Sequence, residues 1–96
     1  MSVLFIGEMK FKNTDWIPDY LSRVPELISK HGGRYVVQTL EVERLEGTRG
    51  KADSVVVLEF PDRDAALAFM NDPEYQEPKS ARVAGTTSEV ILVPVK

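Results

Sequence analysis

Val55-Val56-Val57-Leu58-Glu59-Phe60 reads as a β-strand, since β-branched side chains suit a pleated surface and Pro61 follows at once. Both of its alternating sets of side chains are largely apolar. The same is true of Val3-Leu4-Phe5-Ile6 and of Val90-Ile91-Leu92-Val93. An antiparallel sheet with one wet face alternates apolar and polar residues instead. These strands are therefore expected to be covered on both sides.

Downstream of Phe60, Asp62 or Asp64 can cap a helix carrying Ala65, Ala66, Leu67, Phe69 and Met70. That helix stops at Asn71-Asp72-Pro73, and a second helical piece runs through Tyr75, Lys79 and Val83, with Pro78 in its first turn. Gly85-Thr86-Thr87 reads as a turn before a last strand over residues 89–95. Upstream, residues 3–11 form the first strand. Asn13-Thr14-Asp15 offers capping oxygens to a helix over residues 15–31, with Trp16, Tyr20, Val24, Leu27, Ile28 and His31 near one stripe. Pro25 predicts a kink or restart near Val24, and Gly32-Gly33 a stop. A second strand is predicted over residues 34–42, followed by a polar loop over residues 46–53.

The order β-α-β-β-α-β defines an α+β, ferredoxin-like unit with a four-stranded antiparallel sheet. Its helices can cover one face of the sheet only. A second copy of the same sheet is the economical cover for the other face, so the chain is expected to pair into a dimeric α/β barrel.

Composition narrows the function classes. The 96 residues suit a single domain over 1–96. Net charge is −3, and the basic residues alternate with acids, as in Glu41-Val42-Glu43-Arg44-Leu45-Glu46. No basic face can be assembled, so nucleic acid is not an expected partner. The absence of cysteine removes thiol nucleophiles, disulfides and zinc-thiolate sites, and fits a cytoplasmic protein. The apolar run at the N-terminus ends after Ile6 and lacks a basic flank, so neither a leader nor a membrane span is expected. Phosphate-cradling glycine loops and the Gly-x-Ser-x-Gly elbow are missing too.

Three segments in this order carry a family resemblance. They are His31-Gly32-Gly33-Arg34, then Leu58-Glu59-Phe60-Pro61 with Arg63 and Ala65-Ala66, then Pro73-Glu74-Tyr75-Gln76 with Lys79 and Arg82. Together they resemble the family catalogued as domain of unknown function thirteen-thirty, within the dimeric α/β-barrel superfamily of ferredoxin-like folds. The resemblance spans essentially the whole chain and implies two sheets packed face to face with helices outside. It implies no particular reaction. The wider superfamily includes cofactor-free monooxygenases, lactone isomerases and haem enzymes.

The candidate catalytic residues are His31, Arg34 and Glu59. His31 is the only histidine, suited to proton transfer or, equally, to the negative end of its helix. Arg34 presents a fork for a carboxylate or phosphate, or forms an ion pair with Glu59. Glu59 sits in an apolar strand, where a carboxylate must be paired or must shift its pKa. The candidate ligand-binding residues are Trp16, Tyr20, Tyr75 and Arg82: aromatic walls and a cation that also suit core packing and a solvated helix face. No metal site is implied, because one histidine lacks carboxylates at ligand spacing, and no cofactor is expected.

These residues point to a homodimeric small-molecule-binding protein for a small anionic or aromatic metabolite. Its enzymatic form moves a proton without an obligatory cofactor, with His31 or Glu59 as the acid or base and Arg34 steadying negative charge. The alternative is a non-catalytic ligand-sensing or protein-interaction module that presents its loop over residues 48–53.

Overall fold

The computed structural model describes residues 1–95. The elements are β1 (Val3–Phe11), α1 (Ile17–Lys30), β2 (Arg34–Thr39), β3 (Ser54–Phe60), α2 (Arg63–Asn71), a 3-10 turn (Pro73–Tyr75), α3 (Gln76–Gly85) and β4 (Thr86–Pro94). The strands form one sheet in the order β2-β3-β1-β4, with every neighbouring pair antiparallel. This is the ferredoxin-like α+β fold that the strand and helix order predicts.

Alternation along β1 places Val3, Phe5, Gly7 and Met9 on the face beneath the helices. There Phe5, Leu58 and Phe60 pack with Val24, Leu27 and Ile28 of α1, and with Ala66, Phe69 and Tyr75. The opposite face has no helix over it. Register aligns Val37, Val57, Ile6 and Ile91 across all four strands as an apolar row. The next row is Arg34, Glu59, Leu4 and Val93, and Glu8 and Glu89 pair beyond Ile6 and Ile91. Ile91 is 57% exposed in the single chain.

Several boundaries depart from the sequence reading, each for a local reason. The cap of α1 is Trp16, and no side chain caps the helix. Asn13 instead accepts from the Asp15 amide through Oδ1 at 3.2 Å, which tightens the entry loop. Pro18 then occupies the first turn, where no donor is needed. No break occurs at Pro25, and α1 is continuous to Lys30. The carbonyl that loses its donor belongs to Leu21, a residue 46% exposed on the outer side of the helix. Gly32 takes φ +78° after the helix, as its place at the stop requires.

The second strand ends at Thr39, well short of residue 42, and its pairing with β3 slips between Tyr35 and Val37. The bulge puts Val36 out of register on this edge strand. No turn separates α3 from β4. Thr86 is already extended, and its hydroxyl donates to the Arg82 carbonyl at 2.7 Å, closing the helix end and starting the strand in one residue. The loop over residues 40–53 lies against the uncovered face: Arg44 pairs with Glu8 at 2.6 Å, and Arg49 joins Glu89.

Candidate functional site

The ends of β1, β2 and β3 diverge from the first half of α1, and a cleft of about 450 Å³ opens between them. Its walls include Phe11, Trp16, Ile17, Tyr20, Gln38 and Leu40. Trp16 and Tyr20 stand one helical turn apart on α1 and meet edge to face, with centroids 5.3 Å apart. Gly85 permits this arrangement. A Cβ there would strike the Trp16 indole, whose Nε1 donates to the Asn13 carbonyl at 3.0 Å.

Met9, Tyr20, Gln38 and Val56 also border a small chamber of about 40 Å³ between helices and sheet. Gly7 lies in its floor. A Cβ built on Gly7 would meet nothing closer than 3.8 Å, so the missing side chain leaves usable space. The chamber is almost wholly apolar apart from Tyr20, Tyr35, Gln38, Tyr75 and Arg82.

The tyrosine hydroxyls of Tyr20 and Tyr75 share a hydrogen bond of 2.7 Å. Burial is the main cause raising the Tyr20 pKa far above the ordinary tyrosine value, and neighbouring Tyr75 adds to it. Tyr20 is therefore a neutral hydrogen-bonding group at any ordinary pH. Tyr75 stacks on Phe69 at 4.3 Å, which fixes its ring from behind. Arg82 is only 6% exposed and donates to Ser88 Oγ at 3.2 Å. Among the described residues no carboxylate lies within ion-pairing distance of it.

Of the residues selected from sequence, Trp16 lines the cleft, Tyr75 and Arg82 line the neighbouring chamber, and Tyr20 borders both. His31, Arg34 and Glu59 line neither. His31 Nε2 lies 2.7 Å from Oδ2 of Asp72, whose side chain is 3% exposed. Lys30 donates to the same oxygen at 3.0 Å, and the Glu74 amide donates to Oδ1 at 2.9 Å. These donors, His31 foremost, hold the Asp72 carboxyl well below the usual carboxylate range. The cluster ties the end of α1 to the junction between α2 and the 3-10 turn.

Arg34 and Glu59 face each other across β2 and β3 on the uncovered side of the sheet, with Nη2 2.6 Å from Oε1. Ser2 donates to Oε2 at 2.8 Å, and this hydroxyl and Arg34 lower the Glu59 pKa. Glu59 is thus a paired carboxylate. Gly7, Tyr35 and Gln38 are among the lining residues the sequence reading missed. A glycine inside the apolar strand Val3-Leu4-Phe5-Ile6-Gly7 was the available signal for the first. Tyr35 and Gln38 reach the chamber from opposite sides of the bulge, which no periodicity announces.

No helix among the described residues is long and apolar enough to cross a membrane. No curated protein matches the chain. A solved protein of unknown function from Rhodopseudomonas palustris is similar, with a TM-score of 0.83, 20% identity, and coverage of 99% of this chain and 83% of that one. SnoaB, a cofactor-independent oxygenase from Streptomyces nogalater, shares 23% identity at a TM-score of 0.68, covering 99% of this chain and 93% of its own. A dimeric ferredoxin-like protein of unknown function from Jannaschia sp. CCS1 has a TM-score of 0.76, 14% identity, and coverage of 99% and 100%. At these identities the likenesses establish the fold alone. Sequence places the chain more closely: the family model described as Domain of unknown function (DUF1330) matches residues 2–95, and the chain belongs to that family.

Proposed function

We propose that the protein is a homodimer that binds a small, flat metabolite in the cleft between α1 and the sheet. The observation that carries this reading is the cleft's polarity. An aromatic mouth at Trp16 leads to a chamber in which Tyr20, Tyr75 and Arg82 converge on a space that Gly7 leaves free. A largely apolar pocket with a few convergent polar groups is the usual form of a small-molecule site. Pairing is supported by the uncovered apolar row Val37, Val57, Ile6 and Ile91, and by the dimeric state of the Jannaschia protein.

In an enzymatic form, the Tyr20–Tyr75 hydroxyl pair and Arg82 take the roles that sequence suggested for His31, Glu59 and Arg34. One hydroxyl of the pair donates to the other, and the accepting hydroxyl keeps its proton to donate to an oxygen that gains charge, which the guanidinium steadies. No obligatory cofactor is needed for that chemistry, and SnoaB, of the same fold, is an oxygenase of the cofactor-independent kind.

Native mass spectrometry of the purified chain, followed by a metabolite screen read through Trp16 fluorescence, tests the proposal. The expected result is a dimer, with hits that perturb Trp16 and weaken on Tyr75→Phe. A monomer at all concentrations would sink the homodimer. A screen in which no compound perturbs Trp16 would sink the site. Hits that bind but never turn over would assign the cleft to sensing.

A further inference from the structure

Arg82 is a buried cation, and among the described residues no carboxylate lies within ion-pairing distance of it. Its guanidinium has one hydrogen bond, to the neutral Ser88 hydroxyl, and lines the chamber. Tyr20 does not supply the counter-charge, because burial keeps its hydroxyl protonated. Buried charges are ordinarily paired, since a charge left alone in the interior is strongly destabilising. The chamber is also the wrong size for a ring. At roughly 10–15 Å³ per water-sized position, its 40 Å³ takes about three heavy atoms. That is the size of a carboxylate. The outer cleft of 450 Å³, walled by Trp16 and Tyr20, takes the ring.

We propose that the ligand of this cleft is a flat aromatic carboxylate that enters charge first, resting its carboxylate on Arg82 and leaving its ring against Trp16 and Tyr20. This rests on the cleft reading above and adds two things to it, the sign of the ligand's charge and its direction of entry. The Tyr20–Tyr75 pair completes the carboxylate's hydrogen bonding, and Gly7 gives it room.

The test uses two matched pairs of probes on the full chain: benzoate with benzamide, and 2-naphthoate with 2-naphthamide. Quenching of Trp16, the only tryptophan, reports occupation of the outer cleft. The carboxylates are expected to bind at least about tenfold more tightly than their amides, as a charge-assisted hydrogen bond implies. Arg82→Met is expected to abolish that preference, and Arg82→Lys to keep part of it. Equal quenching by acid and amide would overturn the inference and leave the cleft reading standing. Failure of every probe to quench at millimolar concentration would overturn both. A preference that survives Arg82→Met would place the charge recognition elsewhere. The free Arg82→Met protein is expected to melt no lower than the parent, because the substitution removes an unpaired buried charge. A clear fall in melting temperature would show that Arg82 is compensated within the chain, and the inference would fail.

Discussion

Asp72 decides what His31 does. Its buried carboxylate takes bonds from His31, Lys30 and the Glu74 amide together, so the histidine is spent on joining α1 to the following helical segment. A carboxyl whose pKa is lowered on folding stabilises the fold above its unfolded value and loses that contribution as pH falls. Here the loss is expected to set in as pH drops through about 3.8, the ordinary value, and to continue well below it. Asp72→Asn keeps an oxygen for the Glu74 amide but not the charge. It is expected to lower the melting temperature at neutral pH, with the gap to the parent closing in acid. Thermal melts across pH check this, and a pH-independent gap would contradict it. None of it is legible in sequence, because His31 and Asp72 stand 41 residues apart and neither lies in a spacing motif. Trp16 and Tyr20 were legible, since four residues on a helix is one face.

At the level of elements, β1 gives up stability at Gly7 to keep the chamber open. Glycine inside a strand costs roughly 0.5–1 kcal/mol relative to alanine, and nothing crowds the missing Cβ. Gly7→Ala is expected to raise stability by about that amount while weakening the proposed ligand binding, a split that denaturant melts and Trp16 titrations read separately. Gly85 is the opposite case. A methyl there collides with the Trp16 ring, so Gly85→Ala is expected to cost about 1–3 kcal/mol, the usual range for overpacking, and to shift the Trp16 emission. The strands themselves were easy to read, because their two-sided apolar character is a property of consecutive residues. The end of β2 was not. Residues 40–42 carry strand-like side chains, but the edge has only β3 to pair with, and the ladder already reaches Val55 at Thr39, one residue from the start of β3.

For the whole molecule, the uncovered sheet face is the largest consequence of the pattern read from Val55 to Phe60. Its apolar centre is bounded by Arg34 with Glu59 on one side and by Glu8, Arg44, Arg49 and Glu89 on the other. Ile91→Asp changes a side chain already exposed in the single chain, so folding is expected to survive while the proposed dimer dissociates. Sedimentation velocity alongside circular dichroism checks both halves of that expectation. A folded dimer after the substitution would mean that the copies meet elsewhere.

The two anchors of α1 carry a mechanical corollary. Trp16 seats its beginning on Gly85, and the Asp72 cluster clamps its end, so the helix behaves as the fixed jaw of the cleft. The compliant jaw is β2, a six-residue edge strand interrupted by a bulge and hinged to a long loop. Breathing of the mouth should therefore show as rapid amide exchange at Gln38 and Thr39, beside slow exchange at Leu27 and Ile28 of the facing helix.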